Sequence, residues 1–367
     1  MKISAAVWRA LKEPFSIEEV DLEKQRENEV LVKIVAVGVC HTDVAVRDGE
    51  IPMPAPAILG HEGAGIVISA PTDSEFEAGD HVVMSFAYCG RCNACLSGRP
   101  SSCVLFFPQN FQGHRQDGSC CHSQNGNRIH GNFFGQSSFA NYAVAEARHL
   151  VKVPNDLPLE KLGPLGCGIQ TGAGAVFNWM KPEMGSSFAV FGLGAVGMSA
   201  LMAAKLFGCD PIIAVDVQPE RLKLARELGA THTINAKVDD PVTTIRSLTL
   251  GFGADRVVEA IGQPQLVNQC VEAARSRGQV ALLGAPRSGE NIVFNSTNLL
   301  RGLNIKAVVE GDAVPRVFIP ELLLLYRKGL FPFDKLLTFY DLVEINEAVS
   351  AMSTGKAIKP VLRMSTQ

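Results

Sequence analysis

The sequence predicts an α/β protein that combines a mostly β domain with a doubly wound parallel sheet. Its 367 residues suggest two or three domains of typical size. Up to about Gln170, short apolar runs lie near glycines, whereas from about Thr171 such runs alternate with longer helix-patterned segments. Strands that alternate with helices in this way form a parallel sheet with helices on both faces.

The individual elements follow from these patterns. In the first domain, strands are predicted at 30–37, 64–69 and 80–85. In the second domain, strands are predicted at 188–191, 212–216, 232–234, 255–260, 279–284 and 304–309, and helices at 195–207, 219–228, 241–248, 264–275 and 296–300. The segment from Pro315 onward predicts helices at 317–328 and 343–352 and a strand at 360–364, and we assign it to the first domain. The predicted domains are therefore 1–170 with 309–367, and 171–308.

Composition excludes several classes of function. Hydrophobic residues make up 47% and charged residues 19% of the chain, which is typical of an ordered globular protein. The formal net charge is −3 and no basic run occurs, so neither nucleic acid nor an anionic membrane is an expected partner. The N-terminus lacks the apolar core of a signal peptide, so we expect a cytoplasmic protein. The uncharged stretch 185–204 fits a strand, a tight turn and a helix better than a membrane span.

A glycine motif follows the strand predicted at 188–191 and opens a helix. In it, Gly192 allows a tight turn, Gly194 lets a pyrophosphate approach the backbone, and Gly197 lets helix and strand pack closely. Asp216 ends the next predicted strand, where a carboxylate accepts hydrogen bonds from ribose hydroxyls and repels a 2′-phosphate. The motif therefore predicts a dinucleotide site that prefers NAD to NADP.

Four cysteines, Cys89, Cys92, Cys95 and Cys103, lie within fifteen residues. Thiolates at this spacing can wrap one tetrahedral ion, and Gly90 and Gly98 supply turns, so we predict a structural zinc lobe near 89–103. An iron–sulfur cluster usually has a shorter last spacer and a proline after its fourth cysteine. A nucleic-acid-binding zinc ribbon is disfavoured because the lobe contains only two basic residues, Arg91 and Arg99.

Three further residues, Cys40, His61 and Cys167, are candidates for an open metal site. Each lies among glycines or beside polar groups. Taken singly, each is more often a buried cysteine or a hydrogen-bonded histidine of the core. Two thiolates and one imidazole, however, leave a fourth zinc position for water or an alcohol.

These motifs together resemble the zinc-dependent medium-chain alcohol dehydrogenases, and more narrowly the bacterial aryl-alcohol (benzyl alcohol) dehydrogenases. The wider resemblance rests on Cys-His-Thr-Asp at 40–43, Gly-His-Glu at 60–62, the four-cysteine lobe and the motif at 192–197. The narrower one rests on the strings at 133–140, 163–172 and 308–311. The resemblance implies a GroES-like mostly β catalytic domain, a Rossmann domain, NAD, two zinc ions per chain and a homotetramer.

The resemblance also implies roles for residues of this chain. Cys40, His61 and Cys167 hold the catalytic zinc, with Glu62 beside the metal. Asp43 orients His61, as metal-bound histidines generally require, and Thr42 bonds the substrate oxygen. The coenzyme positions that the resemblance implies are Thr171 and Val196 at the nicotinamide, His41 and Lys359 at the phosphates, and Arg221 near the adenosine ribose. Arg221 is alternatively a solvated helix residue.

The implied reaction is hydride transfer from an alcohol to C4 of the nicotinamide, with Thr42 passing on the proton. Family members often end this proton relay at a histidine five residues after the first zinc cysteine, where this chain has Ala45. His41, or direct transfer to solvent through the ribose hydroxyls, is the expected substitute.

Six phenylalanines between Val104 and Phe139 are either core residues or the wall of a substrate pocket for a benzylic alcohol. Two alternative functions remain. A glutathione-dependent formaldehyde dehydrogenase relies on an arginine soon after the fourth lobe cysteine, where this chain reads Val104-Leu105-Phe106-Phe107-Pro108. A non-catalytic coenzyme-binding structural protein would be expected to lose catalytic zinc ligands. We also expect Val293, Phe294, Val308 and Val309 to form an edge contact between subunits.

Overall fold

The computed structural model describes residues 1–286 and 289–364 of the chain. The strands are β1 (Lys2–Trp8), β2 (Ser16–Leu22), β3 (Glu29–Gly38), β4 (Ala57–Ile58), β5 (Glu62–Ser69), β6 (His81–Met84), β7 (His122–Gln124), β8 (Asn127–Ile129), β9 (Tyr142–Glu146), β10 (Leu150–Val153), β11 (Phe188–Phe191), β12 (Ile212–Asp216), β13 (His232–Asn235), β14 (Ala254–Glu259), β15 (Ala274–Leu282), β16 (Asn304–Ala307), β17 (Leu337–Asp341) and β18 (Lys359–Arg363). The α-helices are α1 (His41–Arg47), α2 (Asn93–Leu96), α3 (Phe106–Phe111), α4 (Gly168–Gly174), α5 (Ala195–Leu206), α6 (Pro219–Leu228), α7 (Pro241–Leu248), α8 (Pro264–Ala273), α9 (Pro315–Arg327) and α10 (Ile345–Ser353).

The first of two units comprises Met1–Cys167, Val314–Glu321 and Asp334–Gln367. It contains a five-stranded sheet in the order β4-β1-β2-β7-β8 and a seven-stranded sheet in the order β10-β6-β5-β3-β18-β17, with β9 paired to β3. Gly38, at the end of β3, lies opposite Glu62 at the start of β5 and opposite Val361 of β18. This pairing brings three distant segments of the chain to one place in the sheet. The mostly β character predicted for this part is confirmed.

The second unit comprises Gly168–Ala313 and Leu322–Phe333. Its six parallel strands follow the order β13-β12-β11-β14-β15-β16, so the doubly wound sheet is confirmed. The central strands β11 and β12 are largely apolar and buried along their whole length because both faces of the sheet are covered, whereas the edge strands β13 and β16 are mixed and partly exposed. Helices α6, α7 and α8 each have a proline in the first turn, where the missing N–H has no intrahelical partner.

The C-terminal boundary differs from the prediction that all of 309–367 joins the first domain. Residues 309–313 and 322–333 lie in the second unit. The turn Val309–Asp312 packs against α4 and against the helical segment Ala175–Met180 that follows it, where Asn178 Nδ2 donates to the Gly311 carbonyl at 2.9 Å. Farther along, the Tyr326 and Phe333 rings contact each other at 4.8 Å. The first boundary also falls earlier than predicted, after Cys167 rather than after Gln170.

Other differences are local. Strand β17 was not predicted because its side chains are only partly buried and show no strong apolar run. Helix α8 ends at Ala273 and β15 begins at Ala274, so the predicted helix end and strand start are both displaced. The uncharged stretch 185–204 forms β11, a turn and most of α5. Within the described ranges, no helix combines the length and apolar character needed to cross a bilayer.

Candidate active site and metal centres

Four potential metal ligands, Cys40, His61, Glu62 and Cys167, have their ligating atoms within 4.8 Å of one another. Cys40 immediately precedes α1, and Glu62 begins β5 directly after His61. Cys167 follows the short helical turn Gly163–Gly166. Two glycines of this turn allow its backbone to approach the sheet: a Cβ on Gly163 would lie 2.2 Å from the Glu62 carbonyl oxygen, and one on Gly166 would lie 2.1 Å from the Met84 carbonyl oxygen. The turn thereby brings Cys167 to the other three ligands.

Asp43 fixes this cluster by accepting three hydrogen bonds in a fully buried position. Its Oδ2 accepts from the Cys40 backbone N–H at 2.9 Å, and its Oδ1 accepts from the Gly60 N–H at 3.0 Å. The same Oδ1 lies 3.1 Å from His61 Nδ1. This contact makes Nδ1 the protonated nitrogen and turns Nε2 into the lone-pair donor that a metal requires.

Two further observations fit a metal in this cluster. The Nε2 atom of His61 is buried and has no hydrogen-bond partner among the described residues. A hydrogen bond from Cys167, together with the charges of Lys359 and His61, lowers the pKa of Cys40 well below its usual value and so favours the thiolate. Burial alone would lower the pKa of His61, but the Asp43 carboxylate outweighs it and raises that pKa. The donor set of two sulfurs and one imidazole nitrogen is that of an open zinc site.

Lys359 lies beside Glu62, a contact that no motif in the sequence predicts. Its Nζ donates to both Glu62 carboxylate oxygens, at 2.8 and 3.0 Å, and to the Val39 carbonyl at 3.1 Å. Both side chains are buried. Burial raises the pKa of Glu62 to about 7, and the Lys359 ammonium opposes that rise. The described partners of Lys359 therefore place it as the counter-ion of Glu62, while its contact with coenzyme phosphates stays a prediction.

An aromatic wall stands next to His61. The Phe134 ring stacks on the imidazole with centroids 4.4 Å apart, and the Phe133 ring meets it edge-on at 5.2 Å. Phe106 and Phe111 of α3 contact Phe134 at 6.5 and 5.2 Å. We call these four phenylalanines the aromatic wall. Of the other two phenylalanines singled out in the sequence, Phe139 packs instead against Phe15 at 5.7 Å, and Phe107 is largely exposed.

Gln136 is a site residue that sequence reasoning missed. Its buried Nε2 donates to the His61 carbonyl at 2.9 Å, and its Oε1 accepts from the Gly63 N–H at 3.1 Å. It therefore holds the backbone on both sides of Glu62. Gln136 belongs to a string that carried the family resemblance, and this was the available signal.

The four-cysteine lobe forms a second cluster, also with its ligand atoms within 4.8 Å. Sulfur–sulfur distances are 3.9 Å for Cys89–Cys95, 3.5 Å for Cys92–Cys95 and 4.0 Å for Cys92–Cys103. Thiolates about 2.3 Å from a tetrahedral zinc lie about 3.8 Å apart, so the spacing fits that ion. Backbone N–H groups of Cys95 and Val104 lower the pKa of Cys92 to about 6, which favours the thiolate. All four sulfurs are occupied in such a closed site, which suits a structural ion.

The glycine motif lies in the second unit, where β11 turns into α5. Gly192 has φ +92°, a conformation that favours glycine. A Cβ on Gly197 would lie 1.8 Å from the Gly192 carbonyl oxygen, so this glycine is required for packing. A Cβ on Gly194, by contrast, would meet nothing within 4 Å. The open space at Gly194, at the N-terminus of a twelve-residue helix, is a cradle suited to a pyrophosphate.

Asp216 ends β12 beside this motif. Its carboxylate accepts from the backbone N–H of Leu193 at 2.8 Å and from those of Val217 and Gln218 at 2.7 and 2.9 Å. Arg221 Nη1 lies 3.9 Å from Asp216 Oδ2 and the Arg221 side chain is 18% exposed, while its place near the adenosine ribose stays a prediction. Asp216 thus ties the glycine motif to the end of the neighbouring strand.

Thr171, His41 and Thr42 lie on two short helices, α4 and α1. Thr171 is buried in α4, and the Gly172 next to it approaches the Val196 carbonyl so closely that a Cβ would lie 1.9 Å from that oxygen. His41 and Thr42 begin α1, and Thr42 Oγ1 lies 3.8 Å from Cys40 Sγ. Val308 is buried, so it does not belong to the expected edge contact between subunits, whereas Val293 is exposed.

Comparison with known proteins gives two family matches. Residues 26–155 match the alcohol dehydrogenase GroES-like domain, and residues 195–324 match the zinc-binding dehydrogenase family. A geraniol dehydrogenase from Castellaniella defragrans is 42% identical over 362 residues, which cover 98% of this chain and 96% of that protein.

Two solved structures match along their full length. An alcohol dehydrogenase zinc-binding domain protein from Burkholderia ambifaria is 49% identical with a TM-score of 0.97, and each chain is covered to 100%. Benzyl alcohol dehydrogenase from Acinetobacter calcoaceticus is 45% identical with a TM-score of 0.96 and the same coverage.

Proposed function

The chain belongs to the zinc-dependent medium-chain alcohol dehydrogenases, and from this premise we propose that it oxidises primary benzylic alcohols reversibly to aldehydes with NAD. In the balanced reaction, the alcohol and NAD⁺ give the aldehyde, NADH and a proton. The alcohol carbon loses hydride to C4 of the nicotinamide, and its hydroxyl loses the proton.

The observation that carries this proposal is the aromatic wall beside His61. Phe134 stacks directly on the imidazole of a candidate zinc ligand, and three further rings extend from it. A benzylic ring placed along such a wall gains buried area and about 0.5–1.5 kcal/mol from ring packing, which ethanol cannot gain. The likeness to benzyl alcohol dehydrogenase from Acinetobacter calcoaceticus supports the same substrate class.

The chain's own residues have distinct tasks in the proposed reaction. Cys40, His61 and Cys167 would hold one zinc ion, a Lewis acid that favours loss of the alcohol proton. Thr42 Oγ1 accepts that proton and passes it on, and because Ala45 cannot continue the relay, His41 or the ribose hydroxyls do so. Asp43 keeps His61 in the tautomer that presents Nε2, and Lys359 balances the charge of Glu62.

Cofactor content forms a second part of the proposal. The four-cysteine lobe would hold a second, structural zinc ion, which gives two per chain. The carboxylate of Asp216 at the end of β12 supports NAD over NADP because it would repel a 2′-phosphate. We propose Thr171 and Val196 at the nicotinamide, and His41, Arg221 and Lys359 at the rest of the coenzyme.

Geraniol is a second candidate substrate, favoured by the likeness to the geraniol dehydrogenase. Like benzyl alcohol, it is a primary alcohol with a π-system next to the carbinol carbon. The aromatic wall would receive either molecule, so only kinetics separates them.

The test is a steady-state kcat/KM panel over benzyl alcohol, geraniol, ethanol and hydroxymethylglutathione, with NAD and with NADP. The proposal predicts the highest value for benzyl alcohol with NAD. Equal values for benzyl alcohol and ethanol contradict it, and a preference for hydroxymethylglutathione identifies the glutathione-dependent alternative. Zinc counting addresses the non-catalytic alternative, which predicts one ion per chain instead of two.

We also propose a homotetramer in a reducing, cytoplasmic setting. Strand β16 is an edge of the six-stranded sheet, and the exposed side chains of Val293 and Val309 support an apolar contact between subunits at this edge. The six cysteines of the two clusters bind zinc only as thiolates, which a reducing compartment preserves. Light scattering coupled to size-exclusion chromatography gives the subunit number, and a monomer contradicts the tetramer.

A further inference from the structure

A cavity of about 440 Å³ lies in the first unit, lined by α3 and its following loop, by β9 and by residues that precede β3. Among the residues that the structure describes, neither the ligands of the two metal clusters nor Thr42 line it. The cavity is therefore separate from the site proposed for the reaction, and nothing in the reaction accounts for it.

The charged side chains of the cavity wall are already neutralised. Each has an oppositely charged partner within 2.8 Å: Arg115 Nε with Glu29 Oε1 at 2.6 Å, Arg26 Nη1 with Asp117 Oδ2 at 2.7 Å, and Glu146 Oε2 with Arg148 Nε at 2.8 Å. Arg115 and Glu29 are buried, so a ligand that separated them would leave an uncompensated buried charge. A charged ligand would lose hydration without gaining a counter-ion, and the wall thus favours an uncharged one.

Two buried uncharged polar atoms of the wall are available to such a ligand, while a third buried atom without a hydrogen bond in the described part of the chain, Glu146 Oε2, is ion-paired with Arg148 at 2.8 Å. His149 is 4% exposed; its Nε2 lies 3.1 Å from both the N and the O of Tyr88, and its Nδ1 has no hydrogen-bond partner among the described residues. Burial lowers the pKa of His149 to about 4, so the ring is neutral at pH 7. The buried Oε1 of Gln109 likewise has no partner in the described part of the chain.

A hydroxyl matches these two atoms. It donates to Gln109 Oε1, which only accepts, and it pairs with either tautomer of His149 because it also accepts. The cavity wall includes Leu105, Pro108 and Val144, which offer apolar surface to a hydrocarbon body. We propose that this cavity is a second alcohol site, which binds an uncharged small alcohol by its hydroxyl at His149 and Gln109.

The cavity shares a structural element with the proposed active site. Asn132 and Gly135 line the cavity, while Phe133 and Phe134 between them pack on His61. A variant that tests the cavity should therefore leave this turn intact. Gln109 meets that condition because it lies on α3 and is not one of the aromatic wall residues.

The experiment is equilibrium dialysis of the zinc-loaded, coenzyme-free protein with radiolabelled benzyl alcohol, benzylamine or benzoate. Wild type is expected to bind two benzyl alcohol molecules per chain and neither charged analogue at the second site. Gln109→Leu weakens one of the two by about tenfold through loss of one buried hydrogen bond, and leaves kcat for benzyl alcohol unchanged. Gln265→Leu, an exposed glutamine on α8, is the matched control and binds as wild type does.

Identical binding curves for wild type and Gln109→Leu overturn the proposal, as does equal binding of benzoate at the second site. Should Gln109→Leu not fold, wild-type crystals soaked in benzyl alcohol decide: ligand density at Gln109 Oε1 and His149 Nδ1 supports the site, and water alone contradicts it. This inference rests on the proposed function only in its choice of benzyl alcohol as the probe. If benzyl alcohol is not a substrate, turnover is lost but the Gln109-dependent binding remains, so the two failures are distinguishable.

Discussion

Asp43 offers the sharpest mutational test of the metal site, because one buried carboxylate serves three donors. In Asp43→Ala the N–H groups of Cys40 and Gly60 and the Nδ1–H of His61 all lose their acceptor. Each unsatisfied buried donor costs about 1–3 kcal/mol, which gives a total of about 3–9 kcal/mol. That loss is large against a typical unfolding free energy of about 5–15 kcal/mol.

The conservative variant Asp43→Asn separates stability from metal binding. Its amide oxygen can take the place of Oδ1 and keep the Gly60 and His61 bonds, while its NH₂ faces the Cys40 N–H. We expect a loss of about 1–3 kcal/mol in unfolding free energy. Zinc affinity should fall about 10–100-fold because the charge that supports the His61 ligand is gone.

Urea unfolding of the zinc-loaded protein measures the first quantity, and zinc competition with a chromophoric chelator measures the second. Asp48→Ala is the matched control, since Asp48 caps the C-terminus of the same helix and forms an ion pair with the half-buried Arg47. That variant should lose no more than about 1 kcal/mol. Unchanged unfolding and chelation in Asp43→Ala would refute this account of the site.

Three further predictions follow from other parts of the chain. Gly194→Ala should raise the Kd for NAD with little effect on stability, because its Cβ meets open space. Gly197→Ala should instead destabilise the protein by about 1–3 kcal/mol, because its Cβ would clash with Gly192. Calorimetric NAD titration checks the first variant and urea unfolding checks both. Cys95→Ser should reduce zinc to one ion per chain by elemental analysis while the chelator midpoint of the other ion stays unchanged; loss of both ions contradicts independent sites. Burial, aided by Arg115, lowers the pKa of His122 to about 4 from 6.5. The unfolded chain therefore binds more protons between these pH values, so the free energy of unfolding decreases as the pH is lowered, by about 2 kcal/mol from this group at pH 5. His122→Gln should lose less unfolding free energy between pH 7.5 and pH 5 in urea unfolding, and a loss equal to that of wild type contradicts the assignment.

Local pattern was sufficient to predict the second unit. Its central strands β11 and β12 are buried and largely apolar because helices cover both faces of the sheet, whereas the edge strands β13 and β16 are mixed and partly exposed. Its helices carry prolines or glycines at their starts. Strand β17 was missed for the opposite reason, since a partly buried strand of mixed residues has no distinct period. The Val309–Asp312 turn was assigned to the first domain, because its close packing on α4, where a Cβ on Gly311 would lie 2.3 Å from the Gln170 carbonyl oxygen, cannot be recognised from residue type.

Residue identity predicted the members of both cysteine clusters, and family resemblance supplied the role of Asp43, whose contact with His61 the structure contains. Residue identity could not predict that Lys359 pairs with Glu62, which lies 297 positions earlier, because the sequence around neither residue indicates its partner. It also could not divide the phenylalanines between the aromatic wall and the core. That division depends on which ring reaches His61 and which reaches Phe15.

The proposed function requires that the aromatic wall beside His61 selects benzylic substrates. The most direct measurement is the ratio of kcat/KM for benzyl alcohol to that for ethanol, with NAD, in wild type and in Phe134→Leu. Any general damage to the His61 site affects both alcohols and cancels in the ratio. We expect a wild-type ratio far above one that falls about two- to tenfold in the variant, in keeping with the free energy of an aromatic pair. A wild-type ratio near one, or a ratio that Phe134→Leu leaves unchanged, contradicts it.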